Sequence, residues 1–433
     1  MSPLSSNGSY VLDYESVSPL GVGKLSHWIG IEEGQVAAGE LKRISTVGLP
    51  VTVGAEIQDD LSGFLESEHD VIRECSVLDR KLELLATAAN LATGRFSEFL
   101  DAVDSARKGV ILGMGQDVTN VEKIKKNINR SVILKPSDAF RFLEELNNNA
   151  TRVNMVMNPI DVSSIYLANK FGAAAFQKTI VTACAASSQA LGYAARAIRR
   201  GKADIVLAGG ADSLLNVFGI IAFTKLGVIQ QPKGDPRWAC RPLDKTRNGT
   251  LLGEGAGLVL LASGAAVEKN GWKPVAEIVG FGNSLDGYKI TAPDPNGEGM
   301  RRALKEAARE ADLQPGALDY INLHGTGTRA NDSVELKAVD EILGSEESPI
   351  PVSSTKDRHG HLIGAAGVIE FNTTLGAMEN GKMPGTINLR NPIEVPGLKL
   401  FSEAVCKAKL DTCATNSFAF GGVNTVIITK KVE

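Results

Sequence analysis

A layered α/β fold is what this sequence predicts, from two observations. Short, continuous apolar runs recur along the chain, and longer stretches of helical periodicity lie between them. At 433 residues the chain exceeds one small core and calls for two lobes or an elaborated α/β domain. With 43% hydrophobic and 22% charged residues it has ordinary globular usage. A net charge of −4 argues against a nucleic-acid binder.

The apolar runs, read as strands buried on both faces, are "GVIL" (109–112), "TIVTA" (179–183), "DIVLA" (204–208), "GLVLLA" (257–262), "AEIVGF" (276–281), "YINL" (320–323) and "TVIIT" (425–429). Helices are expected at Arg80–Ala92, Cys184–Arg200, Met300–Asp312, Asp332–Leu343 and Gly364–Asn380. In the fourth, Val334, Ala338 and Ile342 fall four apart and give one buried face. A break after Ala262 divides the chain into halves, 1–262 and 263–433. "TIVTACAASSQ" and "CATNSFAFGGVN" suggest a duplication. The stretch 117–153 is polar and irregular and reads as an inserted cap.

Five cysteines, an odd number without CxxC spacing, exclude a disulfide framework and fit a reducing, cytoplasmic setting. The N-terminus has no cationic then apolar leader pattern. The most apolar long stretch, 203–223, is interrupted by Asp204, Asp212 and Asn216, which rules it out as a membrane span.

Cys184 opens a helix whose Ala190, Ala194 and Ile198 form a small-residue face and whose last turn holds Arg196, Arg199 and Arg200. A thiol at the positive end of such a helix is placed as a nucleophile with a lowered pKa, beside amides free to face an oxyanion. Of five histidines, His27 and His69 lie in polar context and read as surface residues. His324 ends a strand in "NLHGTGT", and His361 precedes a helix in "SSTKDRHGHLIGAAG". His359 and His361 lack a third ligand nearby, so a metal site is not expected. "SSTK" has no companion motif of the serine acylases, and no phosphate-binding glycine loop occurs.

"TACAASS", "HGTGT", "SSTKDRHGHLIGAAG" and "FAFGGVN" stand in the order and approximate spacing of the β-ketoacyl-[acyl carrier protein] synthases, which the chain resembles over nearly its whole length. The resemblance implies a thiolase-like fold of two duplicated α/β halves in five layers, assembled as a homodimer or as a heterodimer with a related subunit. It implies that Cys184 takes an acyl group from acyl carrier protein, with the Cys184 and Phe420 N–H groups as oxyanion hole. His324 and His361 would serve the decarboxylation of malonyl thioester, beside the charged pair Lys356 and Glu370. Thr326 and Thr328 match the residues that bond the phosphopantetheine arm. Phe223, Phe418 and Phe420 match the acyl pocket and its gate, and Gln116 in "GMGQD" matches the far end of that pocket. Arg80 and Lys81 match a carrier-protein contact. No cofactor is implied beyond the carrier's own arm. Fatty-acid elongation and a type II polyketide or aryl-polyene pathway both remain open. A non-catalytic partner subunit and a coenzyme A thiolase, whose second cysteine would be Cys413, are the more distant readings. Arg247-Asn248-Gly249 departs from the family's usual Arg-Asp-Gly.

Overall fold

The computed structural model describes residues 4–70, 72–73, 79–115 and 161–432. Gln116, Cys75 and the 117–153 insertion lie outside them.

Eleven strands follow one another across a continuous sheet. In chain order they are β1 (Ser9–Ser18), β2 (Lys108–Met114), β3 (Phe176–Ile180), β4 (Ile205–Ser213), β5 (Glu254–Ser263), β6 (Ala276–Leu285), β7 (Tyr320–Asn322), β8 (Ile350–Ser353), β9 (Leu398–Leu400), β10 (Thr412–Phe418) and β11 (Val423–Lys431). Their spatial order is β9-β8-β7-β10-β11-β6-β1-β5-β4-β2-β3. Only two residue pairs, Tyr10↔Glu277 and Val11↔Ala276, join β1 to β6. This seam divides the sheet into two blocks with one plan. In the first, β3-β2-β4-β5-β1 pair parallel, parallel, antiparallel, antiparallel. In the second, β8-β7-β10-β11-β6 repeat that order and those directions, with β9 added at the edge. The repeat is thus carried by topology, which residue identity hardly shows.

Strand alternation builds the layers. Val110, Leu112, Leu258 and Leu260 point to one side, where the helix α1 (Arg80–Leu100) covers them with Leu82, Leu85 and Ala89. Ile111, Val206, Val259 and Leu261 point to the other. There they meet the helices α2 (Ala186–Arg199) and α6 (Ala366–Asn380), which also touch Ile278, Phe281 and Ile427 of the second block. The outer face of that block is closed by α4 (Glu298–Glu310) and α5 (Arg329–Leu343), through Met300, Leu304, Leu336 and Val339. A shorter helix, α3 (Val217–Lys225), follows β4. Five layers result: helix, sheet, helix, sheet, helix.

Two expectations change. Among the described residues β3 lies at the sheet edge and is only half-buried, with Lys178 exposed, so it is not sandwiched on both faces. The segments that correspond between the halves are "TACAASS" and "HLIGAAG", not "CATNSFAFGGVN". Each is a tight turn (Ala183–Ala185 and Ile363–Ala365) leading into α2 or α6. Each turn opens on a non-glycine residue in the left-handed region, Ala183 at φ 48° and Ile363 at φ 47°. Cys184 and Gly364 occupy the same position in these turns.

Candidate active site

α2 can lie this deep because its contact face is small. Gly113 of β2 would place an added Cβ 2.1 Å from the Ser187 backbone nitrogen, and Gly192 would meet the Phe281 ring at the same distance. Glycine at both positions lets α2 seat against the sheets and brings its amino end, with Cys184, to the floor of a cavity of about 80 Å³. Cys184, His324, His361, Thr326, Thr328, Phe223, Phe418 and Phe420 all line this cavity.

His361 Nε2 lies 3.0 Å from Cys184 Sγ. The His324 ring stands edge-on to His361, with 5.3 Å between centroids, and 6.3 Å from the Phe418 ring. The Ile363 N–H donates to His361 Nδ1 at 3.3 Å, and the Lys356 ammonium sits 3.4 Å from His324 Nδ1. Both Nδ1 atoms therefore accept, which assigns the proton of each ring to Nε2, the nitrogen facing the cavity. Burial, and then the Lys356 charge, hold both histidines well below their usual pKa. They are neutral N–H donors. The three potential ligand atoms lie within 4.8 Å of one another, a spacing that would suit a metal ion. Nε2 atoms that carry protons have no lone pair to give one, so this donor set fits a metal poorly.

Burial pushes the Cys184 thiol up to about 12, against the pull of Lys356 and of the Phe420 N–H, which hydrogen-bonds the sulfur. The expected low thiol pKa is not met at rest, because desolvation outweighs the helix end. Lys356 and Glu370 are fully buried and paired, and Lys356 Nζ also donates to the His324 carbonyl at 2.5 Å. Glu335, which the sequence reading missed, accepts the His324 and Gly325 N–H groups at 2.7 and 2.8 Å. Nothing but its helical position after "HGTGT" could have flagged it.

Thr326 and Thr328 share a 2.8 Å hydroxyl hydrogen bond along the channel wall. The Phe223 and Phe420 rings face each other at 6.1 Å. Asp286 and Asn424 also line the channel and bond each other at 2.7 Å. Neither stood out in sequence. Arg247 is buried and braces the threonine loop through the Thr328 and Arg329 carbonyls, while Asn248 is exposed and, among the described residues, binds Gln230. The Asn248 departure thus bonds no site residue among the described residues.

Arg80 is half-buried, and its guanidinium grips Glu254 at 2.7 and 3.1 Å and Glu83 at 2.8 Å. Two expectations fail on burial. Lys81 is buried and sets its charge against Asp212. His27 is buried too, bonded to Ser18 Oγ at 2.7 Å and Thr373 Oγ1 at 2.8 Å.

Against known proteins, residues 14–266 match the family model described as the N-terminal domain of beta-ketoacyl synthase, and residues 275–390 match its C-terminal domain. The chain is 31% identical over 422 residues to "3-oxoacyl-[acyl-carrier-protein] synthase 2" of Synechocystis sp., covering 96% of both chains. It is 31% identical over 416 residues to the protein of that name from Coxiella burnetii, again covering 96% of both. Among solved structures, the ishigamide ketosynthase/chain length factor superposes with a TM-score of 0.83 at 27% identity, over 98% of this chain and 99% of that one. A complex of a type II PKS acyl-carrier protein with its ketosynthase gives a TM-score of 0.81 at 25% identity, over 98% and 99%. Matched in sequence across both halves and in fold across nearly every residue, the chain belongs to the β-ketoacyl synthase family.

Proposed function

We propose that the chain is a 3-oxoacyl-[acyl carrier protein] synthase that elongates acyl groups by decarboxylative condensation with malonyl carrier protein. The observation that carries this reading is the single cavity wall formed by a buried thiol and two neutral Nε2–H donors. In the first step, the Cys184 sulfur attacks the acyl thioester. The departing carrier thiol takes the cysteine's proton, and the tetrahedral oxygen rests on the Cys184 and Phe420 N–H groups. In the second step, malonyl thioester loses carbon dioxide. The electron pair left behind forms an enolate whose oxygen accepts from His324 and His361, a charge that exists only as the bond breaks. The carbanion then attacks the acyl-enzyme, the carbon–sulfur bond cleaves, and the returning sulfur takes up a proton. The Phe223 and Phe420 rings keep water from the thioester. Thr326 and Thr328 hold the carrier's phosphopantetheine arm, and the reaction needs no other cofactor.

The carrier protein meets Lys225 and Arg329, both exposed: Lys225 lies two residues past channel-lining Phe223, and channel-lining Thr328 and Ala330 flank Arg329 directly. A related chain, either a second copy or a different subunit, docks along the open β3 edge. Unpaired thiols at four positions among the described residues suit the cytoplasm. Fatty-acid elongation is the leading reading, as the names of the relatives support. A type II polyketide or polyene role with a chain-length partner is the second, favoured by the ketosynthase/chain length factor neighbour.

The test charges a carrier protein with a labelled acyl group, locates the label by mass spectrometry and follows carbon dioxide release from malonyl carrier protein. The label is expected on Cys184. His324→Ala and His361→Ala should keep the labelling and lose ~10²–10³ in release, the cost of one such donor. Label on Cys413 or Cys240, or an unimpaired histidine variant, refutes the assignment.

A further inference from the structure

Asp212, next to last in β4, is fully buried, and its carboxylate is gripped from two sides. Oδ1 accepts the Ser213 N–H and Oδ2 accepts the Gly364 N–H, each at 2.8 Å. The backbone closes around it. A Cβ at Gly115 would lie 2.1 Å from Oδ2, and one at Gly364 would lie 3.0 Å from Oδ2 and 2.7 Å from the Gly115 nitrogen. Three elements therefore converge on one side chain: the end of β2, the end of β4 and the turn before α6. That turn is the strained one, held at φ 47° by Ile363, and a backbone in this region persists only where its surroundings over-determine it. The Ile363 N–H is also the group that reaches His361 Nδ1.

We propose that Asp212 is a positioning residue for His361: by holding the Gly364 N–H it fixes the Ile363 turn, and the turn fixes the tautomer that aims Nε2–H at the sulfur. Asp212 acts through the turn and not on the reacting atoms. Burial raises the Asp212 carboxyl to about 6, and the Lys81 charge pulls the other way. Only a carboxylate suits the position, since both neighbours are backbone donors. An asparagine would turn its NH₂ towards one of them.

This rests on the condensing reaction proposed above, which wild-type carbon dioxide release tests by itself. Asp212→Asn should label Cys184 at the wild-type rate and leave KM for malonyl carrier protein unchanged, while kcat for release falls at least tenfold. Nitrogen-15 spectra of histidine-labelled protein, with the signal assigned through His361→Gln, should show Nε2–H alone in wild type and a tautomer mixture in the variant. If Asp212→Asn does not fold, Asp212→Ser, which keeps one acceptor, is read by the same two measurements. Unchanged kcat, a parallel loss of labelling and release, or an Nδ1–H tautomer in wild type each overturns the proposal.

Discussion

Cys184 is 5% exposed, and that burial sets how it should react. A thiol held near 12 carries little thiolate at neutral pH, and the thiolate is the nucleophile. Because its pKa is raised, the thiolate fraction grows with pH towards about 12. Alkylation of the free enzyme by iodoacetamide should therefore climb close to tenfold per unit from pH 7 to 9. A plateau near pH 7 would mean that the helix end outweighs burial. The cysteine and both histidines were legible in sequence because each sits in a motif whose glycines and small residues mark a turn. His27, Arg80 and Lys81 were not. Polar neighbours suggested the surface for His27, and the resemblance a carrier contact for Arg80 and Lys81, whereas their partners lie far along the chain, at Thr373, Glu254 and Asp212.

Among the elements, α2 depends most on what is missing from its neighbours. Gly113→Ala would drive a methyl into the α2 backbone at 2.1 Å, where no flexible side chain can yield. Overpacking of this kind should cost about 3 kcal/mol and displace Cys184, read as a lower urea midpoint with lost acyl labelling. Gly94, exposed inside α1 with nothing within 4 Å of an added Cβ, is the control. Gly94→Ala should stabilise by about 0.5–1 kcal/mol. Equal effects at the two sites would show that contact with α2 is not what matters at Gly113. Strands buried on both faces announced themselves as apolar runs. β10, which holds polar Thr412, Thr415, Asn416 and Ser417 in its interior, showed no such signal, and β3 looked like a core strand because its open side cannot be read from its own residues.

For the whole molecule, the open edge and the channel mouth are the two surfaces that need company. Among the described residues β3 presents unpaired backbone groups along one side, a template for a further strand, and Val181, next to its end, stands 37% exposed. Light scattering should give the mass of two chains, and Val181→Glu should shift it towards one. A wild-type monomer would refute docking at this edge. At the mouth, Lys225→Glu and Arg329→Glu should raise KM for carrier-bound substrates several-fold and leave small thioesters unaffected. Equal effects on both substrates would place the damage in the site.

The matched turns at Cys184 and Gly364 have a consequence for how such a molecule can exist at all. A symmetric pair of half-length chains would have to carry the same residue at both turns, either two thiols or two glycines. Neither pair works: a side chain at the second turn collides with the Gly115 backbone and Asp212, and glycine at the first leaves no nucleophile. Joining the halves in one polypeptide frees the two turns to diverge. One then carries the reacting sulfur, and the other, stripped of its side chain, becomes the bracket behind the histidine. Division of labour between equivalent positions is what a single continuous chain makes available here.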